Sequence, residues 1–286
     1  MTDSLSGRTI FMSGGSRGIG LAIAVRAARE GARVAFMAKT AEPHPKLPGT
    51  IYTAAEEIEA AGGEALPIVG DIRDAEGVER AVAQTVERFG GIDAVVNNAS
   101  AINLASMGDL PVKRFDLMQQ INARGTFVVT RACLPHLRRS DAAHVLTLSP
   151  PLSMDARWLR GHSAYTLSKM GMTMLTLGLA ADEAEAGVAA NCLWPRTIIA
   201  TAAVQNLLGG DEAMIRARTP DIMGDAAREI LVRDPRSCTA NAFIDDEVLT
   251  EAGITELDRY SASTDAELAL DLFVDGWPEP AAASRA

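Results

Sequence analysis

The sequence predicts an α/β fold: a doubly wound parallel sheet forming one domain over residues 1–245, with a short C-terminal extension over 246–286. Three observations predict it. Short apolar runs alternate with longer amphipathic stretches, the order that builds a parallel sheet covered by helices. The short runs, such as Arg33–Ala38 and Val188–Trp194, are nearly continuous in apolar residues, as strands buried on both faces should be. The first run also ends in a glycine-rich turn that leads into a helical stretch.

Taken in order, Arg8–Ser13 is the first strand and Gly14-Gly15-Ser16-Arg17-Gly18-Ile19-Gly20 the turn, followed by a helix over Leu21–Glu30. Arg33–Ala38 is the second strand. Residues Thr40–Thr53 hold Pro43, His44, Pro45, Pro48 and Gly49 and read as a stiff loop, long enough to cover a site. A helix over Ala54–Ala61 closes on Gly62-Gly63, a C-cap signal. Glu64–Val69 is the third strand, Ala75–Phe89 a helix capped by Asp74, and Ile92–Val96 the fourth strand. One long helix is expected over Val112–Leu137, then a strand over His144–Ser149. Apolar residues around Tyr165 and Lys169 mark another long helix, and Val188–Trp194 the sixth strand. Helices over Ile199–Leu208 and Gly224–Val232 and a strand over Cys238–Ile244 complete the pattern. In the extension, Asp271-Leu272-Phe273-Val274-Asp275 is expected to dock on a neighbour, and Trp277–Ala286 to be a disordered tail.

Two motifs carry chemistry. A strand, a glycine-rich turn and a helix start form a dinucleotide site, because backbone amides and the helix dipole can meet a pyrophosphate there. Tyr165 and Lys169 lie four residues apart, hence one turn apart on one helix face. A phenolate is favoured by a nearby cation, so the lysine is expected to bring the tyrosine below its free value of ~10 and towards acid–base work.

The spacing Gly14-x-x-x-Gly18-x-Gly20 together with Tyr165-x-x-x-Lys169 resembles the short-chain dehydrogenase/reductase family, over about residues 7–245. Lys39 followed by the proline-rich insertion resembles its hydroxysteroid-dehydrogenase-like 2 subgroup. The resemblance implies a Rossmann fold and an oxidoreductase that moves a hydride between a nicotinamide and a carbonyl/alcohol substrate. It assigns Tyr165 as proton donor or acceptor, Lys169 as the group that lowers its pKa and bonds the nicotinamide ribose, and Asn122 as part of a proton relay. A serine should orient the substrate oxygen. Counting from the strand start puts that position on Pro150, leaving Ser149 or, further on, Ser153 for the role. The expected cofactor contacts are Gly14, Ser16, Arg17, Gly18, Ile19, Gly20, Lys39, Asp71, Ile72, Asn97, Ala99, Tyr165, Lys169, Pro195, Thr197 and Ile198. The family motif Asn-Asn-Ala-Gly stands here as Asn97-Asn98-Ala99-Ser100, and Arg196 occupies the place of a glycine after Pro195. Arg17 and Lys39, with no acid at the end of the second strand, favour a 2′-phosphate and hence NADP(H), with NAD(H) the alternative.

Composition limits the partners. A net charge of −10 argues against nucleic acid, and no apolar run approaches the ~20 residues of a membrane span. The polar start shows no leader. Cys133, Cys192 and Cys238 make no metal or disulfide pattern, and a cytoplasmic location is expected. Apolar surface on the helices around Asn122 and Tyr165 predicts a homodimer or homotetramer. Leu104, Met107, Leu152, Met154, Trp158 and Leu159 suit a bulky apolar or lipid-like ketone. Two rivals stand beside this reading: a cofactor-binding protein with little catalysis, motivated by Pro150-Pro151, and an epimerase or dehydratase on the same scaffold.

Overall fold

A computed structural model describes residues 4–45 and 47–277. The tail beyond Trp277 and the start before Ser4 therefore lie outside the described residues. The strands are β1 (Thr9–Ser13), β2 (Arg33–Ala38), β3 (Glu64–Val69), β4 (Ala94–Asn97), β5 (His144–Thr147), β6 (Ala189–Trp194) and β7 (Ala242–Ile244). They form one sheet in the order β3-β2-β1-β4-β5-β6-β7. Every neighbouring pair runs parallel. The order reverses between β1 and β4, where such sheets open a crevice at the strand carboxyl ends.

Helices cover both faces. On one side α1 (Gly18–Ala28), α2 (Ile51–Ala60), α10 (Asp221–Leu231) and α11 (Asp245–Glu251) pack on Ile10, Met12, Val34 and Phe36. On the other, α3 (Ala75–Phe89) and α5 (Ala123–Leu137) pack on Phe11, Ala35, Met37 and Val95. The alternation of side chains along β1 and β2 sends successive residues into opposite cores, which is why those strands read as continuous apolar runs. A smaller third cluster joins Met118, Tyr165, Met170, Trp194, Ile244, Phe273 and Val274 at the strand ends.

Several boundaries differ from the sequence expectation. α1 starts at Gly18 because the turn itself supplies the first helical residues. α2 starts at Ile51, where Thr50 and Thr53 form a reciprocal cap: Thr50 Oγ1 accepts from Tyr52 N and Thr53 N, each at 3.2 Å, and Thr50 N donates to Thr53 Oγ1 at 2.8 Å. The expected long helix is broken in two, α4 (Val112–Ile121) and α5, at Asn122, whose ψ is −74°. Its side chain bonds elsewhere, as described below. β5 ends at Thr147, not Ser149, and β7 begins only at Ala242. Gly209-Gly210, both at positive φ, separate α8 (Ala202–Leu207) from α9 (Gly210–Ile215). No helix of the described residues is long and apolar enough to cross a membrane.

Candidate active site

The glycine turn is shaped by close packing. Gly14 has φ +78°, and a Cβ there would lie 2.9 Å from the Cα of Ala99. A Cβ on Gly20 would lie 2.5 Å from both Asn98 Nδ2 and Gly14 O. Only glycine fits these two positions. No side chain caps the N-terminus of α1, so its first-turn N–H groups, which lack helical partners, are left for a phosphate. That opening fits the phosphates of a dinucleotide. Arg17 precedes the helix, and its guanidinium donates to Pro48 O and Gly49 O at 3.2 Å each. The proline-rich loop is thereby held beside the turn.

At the end of β2, Lys39 is exposed and lies 3.7 Å from Asp71 Oδ2. The carboxylate of Asp71 is more closely held by Arg73, at 2.6 Å and 3.0 Å, and that contact keeps its pKa below the usual carboxylate value. Lys39 and Arg73 thus flank Asp71 at the end of β2, while Arg17 is held on the proline-rich loop. Ile72 packs against Gly125 in the core, so only its backbone can face a ligand.

Beyond β4 the two asparagines divide their work. Asn97 is buried and donates to Thr130 Oγ1 at 2.9 Å and Thr147 Oγ1 at 3.4 Å, stitching β4 to β5 and α5. It does not line the cavity. Asn98 does, and it donates to Gly14 O at 2.7 Å. The pocket-lining role expected of Asn97 thus falls on Asn98, because alternation along the strand turns adjacent side chains to opposite faces.

α7 (Ser163–Asp182) places Tyr165 and Lys169 on the wall of one cavity of about 570 Å³. Ile19, Asn98, Ser100, Pro195 and Ile198 line the same space. So do Ile102, Leu104, Trp158 and Trp194, which make the far end apolar. Lys169 is 2% exposed; its Nζ donates to Leu148 O at 2.5 Å and lies 5.0 Å from the Trp194 ring centre. Burial lowers its pKa to about 7, against the raising effects of Asp271 and Cys192. Burial also pushes the Tyr165 phenol up, and Asp271 adds to the rise. The expected lowering of the tyrosine is thus not seen: the ammonium is turned to Leu148, and loss of water dominates.

Asn122 is fully buried. Its Oδ1 accepts from Ala101 N at 2.7 Å, and its Nδ2 donates to Ala101 O at 3.0 Å and to Ser168 Oγ at 2.8 Å. Both ends of the amide are committed to pinning the 101 loop and α7. Ser149 is not brought to the site. It lies just past β5, fully buried, accepting from Thr173 Oγ1 at 2.9 Å on the α7 side. Ending the strand at Thr147 turns the next residues inward, and Ser149 does not line the cavity. Ser153 instead caps Asp155 N at 3.2 Å. Met107 and Met154 are exposed on the surface, whereas Leu104 and Trp158 line the cavity.

The groups that sequence reasoning missed come from the extension. Residues 269–277 form a strap on their own chain, where docking on a neighbour was expected, and Leu270, Asp271, Leu272 and Val274 line the cavity. Ile198 N donates to Ala269 O at 3.0 Å and Asp271 N to Arg196 O at 2.9 Å. Trp194 Nε1 donates to Leu272 O at 2.7 Å. Phe273 packs among Trp158, His162, Tyr165 and Trp194. Arg196 anchors the whole end. Its backbone N donates to Asp245 Oδ1 at 2.9 Å, its Nε to Asp246 Oδ2 at 2.7 Å, and its other nitrogens to Glu247 and Gly276 O. Thr197 is fully buried with its hydroxyl unpartnered. Among the described residues no group of three or more His, Cys, Asp or Glu side chains is placed to hold a metal ion.

A helix start open to phosphate, a Tyr/Lys pair four residues apart and a shared cavity at the sheet's crevice define a nucleotide-dependent oxidoreductase site. The family model for short chain dehydrogenase matches residues 8–210, and the chain belongs to that family. It is 51% identical over 283 residues to Hydroxysteroid dehydrogenase-like protein 2 of Xenopus tropicalis, covering 99% of this chain and 67% of that one. The human protein of the same name is 49% identical over 278 residues, 97% of this chain and 66% of that one. The chain thus spans about two thirds of the length of these relatives. Among solved structures, a putative dehydrogenase from Xanthomonas campestris superposes with a TM-score of 0.93 at 54% identity, covering 96% of this chain and 100% of that one. A blue fluorescent protein from a metagenomic library, in complex with NADPH, superposes with a TM-score of 0.72 at 27% identity, over 84% of this chain and 97% of that one.

Proposed function

We propose that the protein is an NADP(H)-dependent oxidoreductase that interconverts a bulky apolar carbonyl compound and its alcohol. The observation that carries this reading is the shared cavity: Tyr165, Lys169 and the start of α1 meet there, and its far wall is apolar. When bound, the cofactor supplies or takes the hydride. The α1 N-terminus would hold its phosphates, with Arg17, Lys39 and Arg73 beside the 2′ position. Lys169 would hold the nicotinamide ribose, exchanging Leu148 O for ribose hydroxyls. Pro195, Thr197 and Ile198 would flank the nicotinamide. The backbone N–H of Ile198 is already taken by the strap, and Thr197, fully buried with its hydroxyl unpartnered, does not line the cavity. Asp71, Ile72 and Ala99 would flank the adenine side of the same groove.

Tyr165 would give its proton to the carbonyl oxygen of the substrate. Burial keeps the phenol protonated, the form that donates. Asn122 would act by fixing the 101 loop to Ser168 of α7, which keeps Tyr165 in register. We further propose that two or more copies pair through α5 and α7, where Phe127, Leu167, Met174 and Leu175 are exposed. NADPH consumption over a panel of ketones and aldehydes tests the activity. Turnover of an apolar ketone supports it, whereas tight NADPH binding with no turnover on any member would favour the binding-protein reading.

A further inference from the structure

The strap does more than close the cavity. Of the described residues lining that space, Lys169 and Asp271 alone are charged, one from α7 and the other from the strap. Asp271 is fixed in place from both sides. Its N–H donates to Arg196 O at 2.9 Å, and its own Oδ1 accepts from Leu272 N at 2.6 Å. The antiparallel bridge between Thr197 and Leu270 sets the register that aims it inward. The same strap brings Phe273 onto Tyr165, so the acid cannot reach the cavity without the ring also arriving.

We propose that Asp271 is a positioning residue of the catalytic machinery, delivered by the strap as the counter-charge to Lys169 in the shared cavity. The inference rests on the proposed roles of Tyr165 and Lys169. Lysine out of water loses its proton readily, and an opposite charge across a cavity of low dielectric restores it. Asp271 is the leading group raising Lys169, and its carboxyl, crowded by protein on the cavity wall, is itself pushed up to about 7. The other groups that act on it are few. Asp245, at the start of α11, pushes it further up, and Lys169 pulls it down. The Arg196 guanidinium is engaged by Asp246 and Glu247. Arg218 lies 3.6 Å from Asp246 and acts mainly on that side. Tyr165 receives the anion as a rise in its own pKa, so an ionised Asp271 keeps both catalytic protons in place.

The chain has four lysines, Lys39, Lys46, Lys113 and Lys169, which makes Lys169 readable by NMR of protein carrying ¹³C at the lysine ε-carbon. The Lys169 signal is the one lost in Lys169→Arg. In the wild-type chain without cofactor it is expected to titrate near neutrality. In Asp271→Asn the midpoint should fall by about one pH unit, a roughly tenfold change in the acid constant. Asp271→Glu should restore it. Should Asp271→Asn fail to fold, the wild-type curve decides: two inflections, the mark of a coupled carboxyl and amine, support the proposal, and a single inflection overturns it. An unchanged midpoint in a folded Asp271→Asn overturns it as well. The titration needs no substrate, so it stands apart from failure of the oxidoreductase reading. In the active enzyme, the basic limb of the reduction pH profile should move to lower pH in Asp271→Asn, whereas a purely structural effect would lower the rate equally at every pH.

Discussion

The ring of Phe273 stacks on the ring of Tyr165, with centroids 6.2 Å apart and planes inclined by 30°. A residue about a hundred positions downstream thereby seals the catalytic phenol from water. Phe273 holds this place with φ +70°, a strained value for a phenylalanine, so its contacts with Trp158, His162, Tyr165 and Trp194 must outweigh that cost. Replacing Phe273 by alanine should let water reach Tyr165 and bring its phenol down towards the ordinary tyrosine value of ~10. Absorbance of the phenolate near 295 nm would gain one tyrosine's worth of signal at lower pH than in the wild type. Identical titration curves would mean that the strap does not shield the ring.

On the proposed reading, cofactor choice depends on the end of β2, where Lys39 is exposed and shares Asp71 with Arg73. Lys39→Asp should weaken NADPH binding by about tenfold or more and shift preference towards NADH, since a carboxylate repels a 2′-phosphate and accepts from a ribose hydroxyl. Fluorescence titration of both nucleotides against both proteins checks it. Equal affinity of the wild type for NADH and NADPH would contradict the assignment.

The acidic cluster under Arg196 makes stability depend on pH. Asp245 is fully buried, and burial, with Asp246 adding, pushes its carboxyl up to about 7 against the bonds from Arg196 N and Asp246 N. The folded chain therefore binds a proton that the unfolded chain releases, between the ordinary aspartate range and about 7. Stability from this group is full below that window and is lost as pH rises through it. Asp245→Asn can keep the accepting oxygen and removes the charge. Its melting temperature relative to the wild type should rise by several degrees between pH 5 and pH 8, at about 2–4 °C per kcal/mol for a chain of this size. A constant difference across that range would contradict the assignment.

The faces of α5 and α7 carry exposed Phe127 and Met174 at 51% and 63% exposure. Light scattering at micromolar concentration should give a dimeric or tetrameric mass, and Met174→Glu should shift it towards the monomer. A monomeric wild type would contradict pairing through this face.

Much of this architecture was legible because the signals were local. Continuous apolar runs gave the strands, and the glycine spacing gave a turn whose tight contacts with Asn98 and Ala99 only glycine permits. Tyr165 and Lys169 followed from helical spacing taken together with the glycine turn upstream. What escaped was set at long range. Pro150-Pro151 marks a strand end near Ser149, but does not announce that the strand stops at Thr147 and that Thr173 takes the hydroxyl. Arg196 looked like a disrupted glycine position, and its role became visible only when Asp245, Asp246 and Glu247, some fifty residues on, folded around it. Asn122 read as a polar intruder in one long helix; it breaks that helix because its amide bonds Ala101 and Ser168. The strap carried no periodicity, and its place over Tyr165 depends on β6 being adjacent to it in space.

The central claim is that Tyr165 delivers the proton while Lys169 holds cofactor and charge. The direct test compares turnover with NADPH affinity in Tyr165→Phe and Lys169→Met, using a ketone that the wild type reduces. Tyr165→Phe removes one hydroxyl and leaves the ring for Phe273 to stack on. The account predicts that it loses ~10²–10⁴ in turnover with NADPH affinity nearly unchanged, because losing a general acid costs about that much. Lys169→Met should lose both. Near-full turnover in Tyr165→Phe would show that the proton comes from another group and would contradict the account.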